Sequence, residues 1–179
     1  MSDFKPHGTR LTTIPLEQID TPEFLRALKL WETWRGIRSA PYWKDVSLVR
    51  FPPSLLPLAT VVDVIDGGED YRYRYWGSEL TRLFKREETG HFLSSHVVPQ
   101  SEDIRYRQFN AVVASGRPIL FATVFEKFQG VMAQKLNLRL PTTEENSDVD
   151  KIISLSVLQR IAMQPNEDLS AFWESEASG

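Results

Sequence analysis

The segment Asp66-Gly67-Gly68 constrains this chain more than any other. Residues that tolerate positive φ, set between two strand-like runs, form a tight antiparallel hairpin. Before the turn, Leu58 to Ile65 is compact and β-branched. After it, Tyr71-Arg72-Tyr73-Arg74-Tyr75-Trp76 alternates with a period of two, which puts the three tyrosines on one face and the two arginines on the other. A lone hairpin is marginal in water, so the rest of the chain must supply more strands and a layer to cover them.

It supplies both. Thr21-Pro22-Glu23 combines an N-cap residue, proline at the first helical position and an acid in the first turn. Phe24, Leu28 and Trp31 then share one face, with Ala27, Leu30 and Trp34 beside them, and Arg35-Gly36 ends a helix over 21–36. Pro41, Pro52, Pro53 and Pro57 bar any long element after it. Ser78 reads as the cap of a short helix with Leu80, Leu83 and Phe84 inward. A longer helix starts near Ser101, buries Tyr106, Phe109, Val112 and Val113, and stops at Gly116 and Pro118. Three strand-like runs follow: Ile119 to Phe125, Ala133 to Leu140, and Lys151 to Leu158. In the middle run Lys135, Asn137 and Arg139 alternate with Leu136, Leu138 and Leu140, which reads as a strand with one wet face. The order predicts an α+β fold: one five-stranded antiparallel sheet with helices gathered on one face. Residues 1–20 read as an irregular lead-in, 21–160 as a single domain, and 161–179 as a polar tail whose only sticky spot is Phe172-Trp173.

Charge and residue usage exclude several functions. With 21 basic and 24 acidic side chains the net charge is −3, so nothing favours a nucleic-acid partner. The chain has no cysteine, which removes disulfides, thiolate metal sites and cysteine nucleophiles. Its longest mainly apolar stretch, Leu55 to Ile65, is broken by Pro57 and Asp63 and falls short of the roughly 20 residues a membrane span needs. The N-terminus lacks an apolar signal core, so the expectation is a cytoplasmic protein with no membrane partner. His91 and His96 have the wrong spacing for a joint metal site and His7 lies in the lead-in. The first two read as loop histidines, or as a lone axial haem ligand. Ser94-Ser95-His96 has no motif around it, Glu87-Glu88 and Glu144-Glu145 read as solvated turns, and no phosphate-cradling glycine loop is present. The expectation is a protein that is not an enzyme and has no metal site.

The ordered set of motifs resembles a PAS domain, in particular the small bacterial single-PAS proteins. The helix leads from Leu30-Trp31 to Trp34-Arg35-Gly36 and on to Pro41. The first strand carries Val62-Asp63-Val64, and the second closes on Gly as Tyr71-Arg72-Tyr73-Arg74-Tyr75-Trp76-Gly77. Leu83-Phe84-Lys85 runs into Thr89-Gly90, and Gly116-Arg117-Pro118-Ile119-Leu120 enters the third strand. The resemblance spans about residues 25 to 160 and departs at 141–148, which is longer and more acidic than the family's tight Pro-Leu and Gly turn. It implies strand order 2-1-5-4-3, a cavity between sheet and helices, and a sensory or interaction role. Such domains bind flavin, haem, small acids or nothing. The flavin photoreceptors among them need a cysteine for their adduct, and this chain has none.

On this plan Tyr73, Tyr75, Phe84, Phe92, Phe109 and Phe121 converge between sheet and helices, with the tyrosine hydroxyls and His91 as polar handles. They either line a ligand cavity or fill the core. The helix over 21–36 is apolar on more than one face, and two tryptophans are hard to bury in one small domain. Phe24, Leu28, Trp31 and Trp34 are therefore expected at a homodimer interface, the other reading being a helix that covers its own sheet. Arg72, Arg74, Arg82, Arg86 and Arg105 read as a solvated face offset by nearby acids. The expectation is a stand-alone PAS-type sensory or regulatory module, its cofactor open, acting in trans through a dimer or a protein partner that carries the output. A ligand-free interaction scaffold is the second reading, and an enzyme on a similar curved sheet the third.

Overall fold

The computed structural model describes residues 10–97, 103–126, 132–144 and 148–160. Its strands are β1 (Arg10–Ile14), β2 (Thr60–Ile65), β3 (Asp70–Trp76), β4 (Ile119–Glu126), β5 (Met132–Thr143) and β6 (Val149–Arg160). Its helices are α1 (Pro22–Arg35), α2 (Ser78–Phe84) and α3 (Ile104–Ser115), with short 3₁₀ turns at 43–45, 48–50, 56–58 and 93–95. The tail at 161–179 and His7 lie outside the described residues.

The hairpin forms where the sequence predicts it. Asp66, Gly67 and Gly68 all take positive φ, at 47°, 70° and 108°. Gly68 is required twice over, because a Cβ there would also press on the Tyr71 hydroxyl at 3.0 Å. All pairings between these strands are antiparallel, in the order β1-β4-β5-β6-β2-β3. Without β1 this is the PAS-like order 2-1-5-4-3, read from the other edge.

Four expectations are corrected. First, the described residues form a sheet of six strands, because residues 10–14 of the supposed irregular lead-in pair with β4, from Arg10 opposite Val124 to Ile14 opposite Leu120. Leu11 and Ile14 pack against opposite layers, so β1 covers the β4 edge without the dense apolar run that marks a strand in sequence.

Second, helical layers cover both faces of the sheet. Phe24, Ala27 and Trp31 of α1, with Phe51, Leu55 and Ala59 from the proline-rich stretch, pack on Leu136, Leu138, Leu140, Ile153 and Leu155. On the opposite face Tyr106, Phe109 and Val112 of α3, with Leu93, pack on Val62, Tyr71, Tyr73, Phe121 and Ile152. The leucine side of β5 is thus as fully covered as its polar side.

Third, a β-bulge interrupts β3. Val61 pairs with Tyr75 and Val62 with Tyr73, leaving Arg74 as the extra residue. Tyr71 and Tyr73 face α3, whereas Tyr75 turns to the α1 side, where its hydroxyl donates to the Leu56 carbonyl at 3.1 Å. Fourth, α2 does not bury its predicted inner face: Leu80 is buried, but Leu83 and Phe84 are exposed. Among the described residues no helix is long and apolar enough to cross a membrane.

Candidate functional site: a polar interior between β5 and α3

The face of the sheet under α3 is built in rows set by register. Arg139 of β5 stands between Ile119 and Ser154, Asn137 between Phe121 and Ser156, and Lys135 between Thr123 and Leu158. Alternation puts these rows opposite the leucines that meet α1. Above them α3 contributes Gln108 and Phe109. The Gln108 amide nitrogen donates to Thr123 Oγ1 at 3.2 Å, and its Oε1 accepts from Arg139 Nε at 2.9 Å and Nη2 at 2.6 Å. Arg139 Nη1 donates to Ser154 Oγ at 2.5 Å, and the guanidinium lies 4.1 Å from the centre of the Phe109 ring. Ser156 donates to Asn137 at 2.7 Å. Gln108, Asn137, Arg139, Ser154 and Ser156 are all buried, with Arg139 only 6% exposed.

Three cations line this layer, Arg139 buried and Lys135 and Arg105 half-buried. Burial, with help from Arg105, draws the Arg139 guanidinium down to about 10, against the opposing influence of Tyr73 and Tyr71, so it stays charged at neutral pH. Lys135 falls to about 8, through burial first and then repulsion from Arg139 and Arg105. Its ammonium has no hydrogen-bond or ion-pair partner among the described residues. Arg105 does have one: Asp103 caps α3 by accepting the Arg105 N–H at 2.9 Å and also binds its guanidinium at 2.9 and 3.0 Å. Burial works against that charge, but Asp103 and Tyr73 outweigh it and hold Arg105 above its usual value. The Tyr73 hydroxyl is itself pushed up, chiefly by burial.

A second polar cluster fixes the mouth of the hairpin. Asp70 accepts from the Tyr71 N–H at 2.8 Å, the Ser94 N–H at 3.2 Å, the Ser94 hydroxyl at 2.5 Å and the Tyr106 hydroxyl at 2.9 Å. Burial raises the Asp70 carboxyl, yet these donors together bring it below the usual carboxylate value. Tyr106 is pushed up by burial and by the Asp70 charge. Nearby, Glu88 is buried between Arg86 and His96, with the His96 ring nitrogen at 2.7 Å. On the α3 side of the sheet the Trp76 indole nitrogen is buried without a hydrogen-bond partner among the described residues.

Of the ligand-binding candidates, Tyr73, Phe109 and Phe121 come together in this layer. Tyr75 is on the other face through the bulge, Phe84 is 55% exposed against the Trp76 ring, and Phe92 is 38% exposed. His91 is exposed and reaches β3 through its backbone, its carbonyl accepting the Tyr73 N–H at 2.9 Å. With His91 outside and His96 held by Glu88, neither imidazole is presented to the interior as an axial haem ligand. Ser94 donates to Asp70 and His96 contacts Glu88, so Ser94-Ser95-His96 forms no nucleophile–base pair. Among the described residues no group of three His, Cys, Asp or Glu side chains is placed to hold a metal ion.

The proposed dimer residues pack within the chain. Phe24 and Trp31 are buried, while Leu28 and Trp34 are half-buried against the same core, Trp34 edge-on to Phe51 at 5.4 Å. The expected difficulty of burying two tryptophans disappears because the proline-rich stretch wraps around α1. Arg72 and Arg74 are not merely solvated, since both bind the buried Asp63.

Sequence reasoning missed Gln108, Lys135, Asn137, Arg139 and Ser154 as site residues. The signal was present in the alternation of β5 but was read as a wet face. Two clefts also open on the α1 side: one of about 720 Å³ bordered by Arg26, Lys29 and Arg50, and one of about 610 Å³ between α1 and the turn at 115–118.

Comparison with protein-family models and with curated proteins finds no match. Comparison with solved structures returns PAS and LOV domains. The chain is similar to the light-state LOV domain of the blue-light photoreceptor Aureochrome1 at 10% identity and TM-score 0.41, over 74% of this chain and 100% of that one. It is also similar to the PAS domain of the fruit-fly ELK potassium channel at 15% identity and TM-score 0.43, over 68% and 98%. A LOV domain solved with a flavin analogue aligns at 12% identity and TM-score 0.44, over 74% and 96%. The PAS-like α+β architecture stands on the sheet order and on the helical connection between β3 and β4.

Proposed function

We propose that this chain is a PAS-type sensory or regulatory module that takes a small molecule between β5 and α3 and passes the occupied state to a protein partner in trans. The observation that carries this reading is the buried polar network around Arg139. A buried charge contributes little to stability and is often replaceable by apolar groups, so a layer that only had to pack would not need one. Gln108 and Arg139 join α3 directly to the central strand, so a ligand competing for Arg139 shifts the balance between two positions of α3. A second copy of the chain is one such partner: Leu25, exposed on the outer side of α1, is available to it, whereas Phe24 and Trp31 are not.

A ligand-free scaffold is the second reading, favoured by the way Gln108 and Ser154 already satisfy three donors of Arg139. Native mass spectrometry of freshly purified full-length protein tests the choice. Retained small-molecule mass supports the sensor. A bare chain whose melting temperature is unmoved by a small-molecule extract of its host cells favours the scaffold.

A further inference from the structure

We propose that the cleft between α1 and the proline-rich stretch is the docking site of this chain's own residues 167–176, an acidic segment that carries Leu169, Phe172 and Trp173. The contact is independent of any molecule taken between β5 and α3.

The cleft joins apolar surface to positive charge. Its volume is about 720 Å³; Leu30, Val49 and Phe51 line it together with Arg26, Lys29 and Arg50, and no acidic side chain does. Phe51 is buried and Val49 is 81% exposed, so the apolar surface runs from the core out to solvent. The three cations are weakly committed. Arg26 shares an exposed pair with Glu23 at 3.2 Å, and such pairs contribute little. The Arg50 guanidinium lies 5.7 Å from the centre of the Trp34 ring, and Lys29 has no ion pair among the described residues. The cleft beside the turn at 115–118 differs, because Glu32 lines it next to Arg35 and Arg117.

Residues 161–179 are the complement in both respects. They hold Glu167, Asp168, Glu174 and Glu176 and no lysine or arginine, opposite in sign to the cations of the cleft. Leu169, Phe172 and Trp173 follow the i, i+3, i+4 spacing with which an amphipathic segment reads an apolar groove. Two large aromatics supply the apolar area that such a contact needs, and the flanking acids fix its register in a salt-dependent way. The chain is long enough to reach. Val157, near the end of β6, packs on the α1 side of the sheet. Phe172 follows Arg160 by twelve residues, a span of up to about 40 Å. Tethering within one chain raises the segment's effective concentration at the cleft, so a protein partner arriving with an acidic segment has to displace it.

The chain has no cysteine, so Ser175→Cys gives the full chain a single site for a nitroxide spin label. The amide resonances of Leu30, Thr33, Val49 and Phe51 are expected to broaden, and those of α3, across the sheet, to broaden far less. Lys29→Glu with Arg50→Glu changes two exposed side chains and is expected to cut the broadening about threefold or more. Phe172→Ala with Trp173→Ala is expected to do the same from the other side of the contact. Adding Glu174→Lys and Glu176→Lys to the reversed cleft is expected to restore the broadening, which a damaged fold would not allow. Spin-labelled chain mixed with isotope-enriched, unlabelled chain reads contacts between copies. Broadening as strong in that mixture assigns the cleft to the same segment of a second copy and overturns docking within the chain. Broadening absent from the cleft, or unmoved by both pairs of substitutions, overturns the docking site itself.

Discussion

The indole N–H of Trp31 donates to the carbonyl oxygen of Pro141 at 2.7 Å, in a site where Trp31 is almost fully buried. Proline has no N–H to place in a ladder, but its carbonyl is free to accept, so this bond fastens α1 to β5 across the leucine face. Trp31→Phe keeps much of the packing and leaves the carbonyl unpaired, at a cost of about 1–3 kcal/mol. Trp31→Glu buries a charge and is expected to unfold the chain instead of yielding a folded monomer. Urea denaturation followed by circular dichroism, with light scattering on each variant, checks both outcomes.

Asp70 holds three elements together: its own strand β3, the turn at 93–95 through Ser94, and α3 through Tyr106. Asp70→Ala leaves buried donors unpaired and is expected to cost about 2 kcal/mol or more. Tyr106→Phe removes a single donor and should cost less, about 1 kcal/mol. Hydrogen exchange should show the loss concentrated in α3. An even loss over the whole sheet would contradict this role.

Gly77 follows the last residue of β3, and its N–H donates to the Ala59 carbonyl at 2.9 Å. A Cβ at this position would collide with the Pro57 carbonyl group. Both are backbone atoms, so the clash cannot be relieved by a rotamer change. Gly77→Ala is therefore expected to destabilise by about 1–3 kcal/mol or more. A urea midpoint equal to that of wild type would contradict the close approach.

The pair of arginines on Asp63 makes stability depend on pH. Burial raises the Asp63 carboxyl, but bonds and charge from Arg74 and Arg72 outweigh it, so the folded-state value lies below the unfolded 3.8. The contribution is therefore fully present above about pH 4 and is lost as pH falls through the folded value. Both arginines are more than 40% exposed, so solvent screens the pair and its worth is modest. Asp63→Asn should flatten the acid limb of the stability curve, and the effect should shrink in high salt. An unchanged acid limb would sink this assignment.

Local chemistry made much of the fold readable. The glycines after Asp66 specified the hairpin, the Thr-Pro-Glu start and Gly36 bracketed α1, and the Leu136, Leu138 and Leu140 alternation fixed β5. Alternation tells which side chains share a face, but not what will cover that face. The polar side of β5 therefore read as wet, although α3 lies over it. The Arg74 bulge was illegible for a related reason: Tyr-Arg-Tyr-Arg-Tyr looks regular, and only pairing with Val61 and Val62 reveals the extra residue. Strand β1 depends on the β4 edge, and the packing of Trp31 and Trp34 on a stretch with no regular long element. Tyr73, Phe109 and Phe121 were legible because their periodicities were uninterrupted; Gln108 was not, because a glutamine in a helix usually faces water.

The central claim is that the Arg139 layer under α3 receives a ligand. The most direct measurement is a nuclear magnetic resonance titration with citrate, reading the Arg139 Nε–H and the side-chain amides of Gln108 and Asn137. These three resonances are expected to shift together with one saturation curve, while the Leu138 and Leu140 methyl groups facing α1 stay in place. Shifts confined to Arg26, Lys29 and Arg50 around the outer cleft, with the Arg139 resonance unmoved, would contradict the account.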